Sequence, residues 1–170
     1  NGNYNYYFGG NSFIKLKNDL SVFSQFKGEI TITLNTGTIG IGCNGIHYLD
    51  LLYFLFSANE SEIIAAEIDK TTIPSNRGSN FCDFGGWAVI KLYSNEVYKG
   101  KALLSMSSSS SVFGSWDIVG PYGKITIDEI SQKRVDILRK EDSQMPINRY
   151  AADYLPPSEQ AFVSPFLGDL

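Results

Sequence analysis

The sequence predicts an α+β domain: an open, mostly antiparallel β-sheet with helices on one face. Three observations predict it. Two amphipathic helical patterns lie in the first third of the chain. A run of about six short strand patterns follows. No helical crossover interrupts that run, as a doubly wound parallel sheet would require. With 170 residues, 43% hydrophobic and 14% aromatic, the chain can build one globular core, and disorder is excluded. The 16 Gly and 6 Pro exclude a coiled coil.

Residues 1–10 read as loop, rich in Asn, Gly and Tyr without a period. Asn11-Ser12 is a plausible N-cap, and Phe13, Leu16, Leu20 and Phe23 follow at helical spacing, so a helix is predicted over 12–24, stopped by Gly28. Glu29 to Leu34 alternates, with Ile30, Ile32 and Leu34 on one face, which predicts a half-buried strand. A glycine-rich passage, Asn35 to Gly45, leads into a second helix over 45–57, whose apolar stripe is Ile46, Leu49, Leu52, Tyr53 and Phe56. Strands are predicted at 62–68, 87–93, 98–106, 115–120 and 124–130, with a further one at 135–139. The 71–84 stretch reads as a long loop or an irregular strand pair. Ser94-Asn95-Glu96 and Pro121-Tyr122-Gly123 are turns, and Ser107 to Ser111 is a low-complexity loop tip or edge. A short helix is predicted near 158–163, within a polar, proline-bearing tail over 141–170.

Charge and cysteine usage narrow the function. With 14 Lys+Arg against 18 Asp+Glu the net charge is −4. The basic groupings, Gln132-Lys133-Arg134 and Arg139-Lys140, are far short of the footprint that displaces counterions from nucleic acid. The longest apolar stretch, Ile46 to Phe56, contains His47 and Asp50 and is too short to span a bilayer; no signal peptide is visible. Cys43 and Cys82 form no CxxC pair and there is one His, which argues against a Cys/His zinc site. Their pattern reads as two reduced thiols in a cytoplasmic protein.

Gly40-Ile41-Gly42-Cys43-Asn44-Gly45 spells GxGxxG between a strand and a helix, with Asp69 further on, formally a dinucleotide fingerprint. Three features count against it. Asn35-Thr36-Gly37-Thr38 breaks the preceding strand, bulky Ile46, His47 and Tyr48 follow Gly45, and the chain lacks the further crossovers of a Rossmann half. The plainer reading is a turn in which glycine allows a strand and a helix to approach closely.

The segment Gly42 to Leu55 resembles the start of the C-terminal domain of the glucose–fructose oxidoreductase/inositol dehydrogenase (Gfo/Idh/MocA) family, whose helix begins Gly-x-His-x-x-Asp-x-x-x-x-Leu, as Gly45 to Leu55 does. Phe13 to Lys17 followed by Gly28-Glu29-Ile30, and Trp116 to Ile125 with its Gly-x-x-Gly, are similar to flanking family elements; the likeness covers about 12–140. The resemblance implies a dihydrodipicolinate-reductase-like C-terminal α+β domain. Residues 1–11 would be the linker from an absent N-terminal Rossmann domain, 12–140 the substrate and oligomerisation domain, and 141–170 the tail. It implies an NAD(P)-dependent oxidoreductase of CH–OH donors acting on a sugar, nucleotide sugar or polyol. NAD or NADP would be held by the Rossmann half and none by this chain, which would be inactive alone. The family's Glu-Lys-Pro motif, with its catalytic lysine, is not in this sequence. The implied partners are the chain's own Rossmann domain and a second copy through the sheet face, with no nucleic acid and no membrane.

Within that resemblance His47 is the catalytic candidate, the side chain whose unperturbed pKa lies near neutrality, suited to taking a proton from a hydroxyl. Cys43, Asn44 and Asp50 are the substrate-binding candidates. The family often carries an aspartate where Cys43 stands; either Asn44 takes over a polar substrate contact or the chemistry differs from the inositol type. Asp50, one turn after His47, either orients the imidazole or is a first-turn carboxylate favoured by the helix dipole. Trp87 and Trp116 read as sheet-face packing rather than sugar platforms. The alternative function is a non-catalytic α+β binding or assembly module, because an open sheet must cover its helix-free face.

Overall fold

A computed structural model describes residues 11–23, 28–37, 40–75, 78–108, 114–140 and 151–163. The loop expected at 1–10, the end of the first helix at 24, part of the serine run, and 141–150 and 164–170 of the tail lie outside the described residues.

Helix α1 (Asn11–Phe23) buries Phe13, Leu16, Leu20 and Phe23, the four residues whose spacing predicts it. Its start differs from the expectation. Asn11 is already helical, and the Ser12 hydroxyl accepts the N–H of Val163 at 3.0 Å. Strand β1 (Thr31–Gly37) follows, then a π-helical turn (Ile41–Gly45) that runs directly into α2 (Ile46–Phe56). Helix α2 buries Tyr48, Leu51, Leu52, Leu55 and Phe56 and ends at Ser57, whose φ of 50° is left-handed.

Seven further strands complete the sheet: β2 (Glu60–Pro74), β3 (Cys82–Ser94), β4 (Val97–Ser107), β5 (Ser115–Gly120), β6 (Gly123–Asp128), β7 (Lys133–Leu138) and β8 (Ser158–Ala161). The spatial order is β2-β3-β4-β1-β5-β6-β7-β8, and every neighbouring pair is antiparallel except β1 with β4. The open, mostly antiparallel sheet with two helices is thus the α+β class expected. Strand β2 runs past the expected 62–68 to Pro74 and β3 starts at Cys82, so 71–84 is the irregular strand pair of its two readings, with register shifts after Ile63 and Ile68. One local expectation is corrected. The helix expected at 158–163 is strand β8, paired to β7 with Val135 opposite Glu159; cross-strand partners override a weak local pattern.

The register explains the core. Ile90, Ala102, Ile32, Ile118 and Ile125 lie opposite one another across β3, β4, β1, β5 and β6, and all are buried. Trp116 on β5 is fully buried, edge-on to Phe13 at 6.2 Å and tilted against Tyr48 at 6.2 Å. Phe162, just past β8, packs edge-on to Phe13 at 5.1 Å. A buried ion network fastens the same region: the Arg134 guanidinium donates to both oxygens of Asp136 (2.7 and 2.8 Å) and to Asp19 of α1 (2.7 Å). Gln160 of β8 donates to Asp136 at 2.9 Å.

The opposite face carries the alternate residues. Trp87, Ser105, Asn35 and Ser115 form one row across β3, β4, β1 and β5, and Val89, Leu103, Thr33 and Asp117 the next. Trp87 is 36% exposed there, so the two tryptophans divide, one in the core and one on the uncovered face. Strand β2 forms the sheet edge and is exposed from Glu60 to Ile68.

Candidate functional site

The strand β1, the π-turn and α2 bring the sequence candidates to one end of the sheet. Cys43 and Asn44 sit on the π-turn, His47 on the first turn of α2 and Asp50 just past it, so Asp50 is not the first-turn carboxylate that was one of its two readings; all four are half-buried. Asp50 Oδ2 is buried and has no hydrogen-bond partner among the described residues. The Cys43 thiol lies 3.8 Å from the Ser75 hydroxyl at the end of β2. Both cysteines are free thiols.

A residue the sequence did not single out organises this turn. Asp83, near the start of β3 and 4% exposed, accepts the N–H groups of Gly42 (2.8 Å) and Cys43 (2.9 Å), together with that of Phe84 (2.8 Å). These are the orphan donors that a helix start presents to an anion, and a carboxylate of the chain itself fills them. Burial pushes the Asp83 carboxyl up, but the Cys43 thiol and the N–H groups of Phe84, Gly42 and Cys43 outweigh it, holding the group below its ordinary value. Glycine at position 40 is what admits the carboxylate, because a Cβ there would stand 1.8 Å from Asp83 Cγ. The wide π-turn, an uncommon conformation, is thus secured from a neighbouring strand.

A second carboxylate lies at the same sheet end. Asp69 of β2 accepts the Ser108 N–H (2.9 Å) and hydroxyl (2.8 Å), reaching across β3 where Gly85 leaves room; a Cβ there would be 2.4 Å from Asp69 Oδ2. The Ser108 N–H and then its hydroxyl hold the Asp69 carboxyl below its ordinary value. Behind the site, burial and then the nearby Glu129 charge push the Tyr48 phenol far up, and Trp116 Nε1 donates to the fully buried Glu129.

The Gly40–Gly45 motif therefore does not fit the pyrophosphate of a dinucleotide: its Gly42 and Cys43 N–H groups are taken and the neighbouring charge is negative. Asp69, which the fingerprint would assign to a ribose, is engaged with Ser108. Among the described residues no group of three His, Cys, Asp or Glu side chains is arranged to hold a metal ion. No helix among them is long and apolar enough to cross a membrane. A short-range pattern could not have revealed Asp83, since it acts on residues 40 and 41 positions away.

No protein-family model and no curated protein matches the sequence. Solved structures match in fold. An oxidoreductase from Sinorhizobium meliloti is similar with a TM-score of 0.58 and 13% identity, over 92% of this chain and 41% of that one. The super-repressor mutant of Gal80p from Saccharomyces cerevisiae is similar with a TM-score of 0.57 and 13% identity, over 90% and 44%. An NAD-binding protein from Listeria innocua gives 0.55 and 15%, over 95% and 50%. The chain spans half or less of each of these proteins. The likeness is one of fold: the open, mostly antiparallel sheet with its two helices is shared with a part of each of these proteins.

Proposed function

We propose that the chain is the substrate-binding and oligomerisation domain of an NAD(P)-dependent oxidoreductase acting on the CH–OH group of a sugar, nucleotide sugar or polyol. The observation that carries the reading is the head of α2. It brings His47, Asn44, Cys43 and Asp50 to one sheet end, in a fold shared with an oxidoreductase and an NAD-binding protein. The cofactor, which accepts hydride when bound, belongs to a separate Rossmann domain in this reading, because the glycine turn here is closed to its pyrophosphate. The chain's own work is to hold a hydroxyl-bearing substrate at Asn44 and Asp50 and to take the hydroxyl proton at His47. The uncovered sheet face, with Trp87 and the 50%-exposed Val119, would pair with a second copy.

The test is turnover by the full-length protein. His47→Ala should lower it by about 10²–10⁴-fold, the range general acid–base groups supply, and an unchanged rate would remove His47 from the mechanism. A strictly monomeric species by sedimentation at high concentration would remove the sheet-face contact. A second reading, a non-catalytic binding or assembly module, draws on the likeness to Gal80p, a repressor by its description. Substrate turnover that depends on His47 excludes it.

A further inference from the structure

A hollow lies at the end of the sheet away from His47. It opens between the C-terminal halves of α1 and α2, where the chain enters β1, whereas the π-turn follows the other end of that strand. Its volume is about 240 Å³, room for about eight water-sized groups. Leu20, Ile30, Leu55 and Phe56 form its floor, and each is 4 to 8% exposed. Glycine at position 100 brings β4 up against that floor, because a Cβ there would stand 2.4 Å from Phe56 Cε1. Water over such a floor finds few polar partners, so an apolar group gains by displacing it.

The rim has the opposite character. Lys17 of α1 and Lys99 of β4 line the same hollow. Lys17 Nζ rests 4.2 Å from the centre of the Phe54 ring, which keeps its charge beside the opening. Neither ammonium pairs with a carboxylate among the described residues. Asp19 and Glu29, close to the lining in sequence, are already engaged. Asp19 pairs with Arg134 at 2.7 Å, while Glu29 pairs with Lys101 at 2.6 Å and accepts the Tyr98 hydroxyl at 2.6 Å. The two helix ends bring about half a unit of negative charge each, against two whole positive charges. An apolar floor thus lies under a rim of net positive charge.

We propose that this hollow is a binding site for a small carboxylic acid with an apolar body. The body lies on Leu20, Ile30, Leu55 and Phe56, and the carboxylate meets Lys17 and Lys99. A bare inorganic anion would leave the floor unused, and a neutral alcohol would leave the lysines unpaired. The site is separate from the head of α2 and does not depend on the oxidoreductase reading.

The experiment is calorimetric titration of the full-length protein with octanoate, octanol and inorganic phosphate. Octanoate should bind once per chain with a Kd of about 0.01–1 mM, the scale for so small a ligand. Octanol and phosphate should each bind at least about tenfold more weakly. Lys17→Gln should weaken octanoate about tenfold, and Lys99→Gln, whose ammonium is more exposed, about two- to fivefold. Ser21→Trp, on the exposed surface of α1 beside the opening, should block the hollow and abolish binding with both lysines in place. No octanoate binding, octanol or phosphate binding as tightly as octanoate, or affinity unchanged in Lys17→Gln or in Ser21→Trp overturns the proposal.

Discussion

Asp83→Asn should destabilise the fold by about 2–4 kcal/mol at neutral pH. The carboxylate accepts three N–H groups: Gly42 and Phe84 on Oδ1, Cys43 on Oδ2. The amide oxygen of asparagine can keep two of them as neutral bonds. Its NH₂ group must then face the third N–H, donor against donor. A hydrogen bond to a charged acceptor contributes about 1.5–3 kcal/mol net and a neutral one about 0.5–1.5 kcal/mol. Weakening two and losing one gives roughly 3–5 kcal/mol, less about 1 kcal/mol for no longer burying a charge.

The loss must also depend on pH in a fixed direction. The folded-state pKa of Asp83 lies below its ordinary value, so in the window between the two the unfolded chain binds more protons than the native one. The wild-type advantage is complete above the ordinary carboxylate pKa of about 3.9, and it fades as pH falls through the lower native value. Urea unfolding followed by circular dichroism, at neutral pH and at about pH 3, should show the gap between wild type and Asp83→Asn narrowing in acid. A neutral-pH gap under about 1 kcal/mol, or one that stays constant on acidification, would refute the capping role.

Three further variants probe the frame that holds the site. Arg134→Met leaves Asp136 buried without its guanidinium and frees Asp19 of α1. Breaking a buried pair from one side costs about 3–5 kcal/mol, which thermal melting should register as a fall of roughly 6–20 °C for a domain of this size. The double variant Arg134→Met/Asp136→Leu should recover much of that loss, and equal melting of the single and double variants would disprove the account. Leu51→Ala, in the fully buried stripe of α2, should cost about 2–5 kcal/mol through lost burial and a cavity; a loss below about 1 kcal/mol would show that α2 is not packed on the sheet as described.

Regular alternation made most of the fold readable. Ile30, Ile32 and Leu34 gave β1 away, and Phe13, Leu16, Leu20 and Phe23 gave α1, because each buries one face at the period of its own backbone. Strand β2 was read only over 62–68; its continuation to Pro74 lies beyond a register shift and, being largely exposed, has no buried face to imprint a period. Strand β8 hid because only β7 makes it a strand. In the site, the local motif Gly45–Leu55 placed His47 and Asp50 on one helix. It carried no trace of Asp83, whose role exists only once β3 lies beside the turn. The GxGxxG spelling described the local geometry correctly, a turn that needs glycine, while the occupant of that turn was a distant side chain.

The two ends of the described chain close on each other. Phe162 packs edge-on to Phe13, the Val163 N–H bonds to Ser12, and Gln160 completes the Arg134 cluster that reaches Asp19. Part of the apolar cover of α1 is thus made about 150 residues further along the chain. During synthesis α1 stays half-covered until β8 and Phe162 have emerged, so the core of this sheet closes only once that distant segment is available.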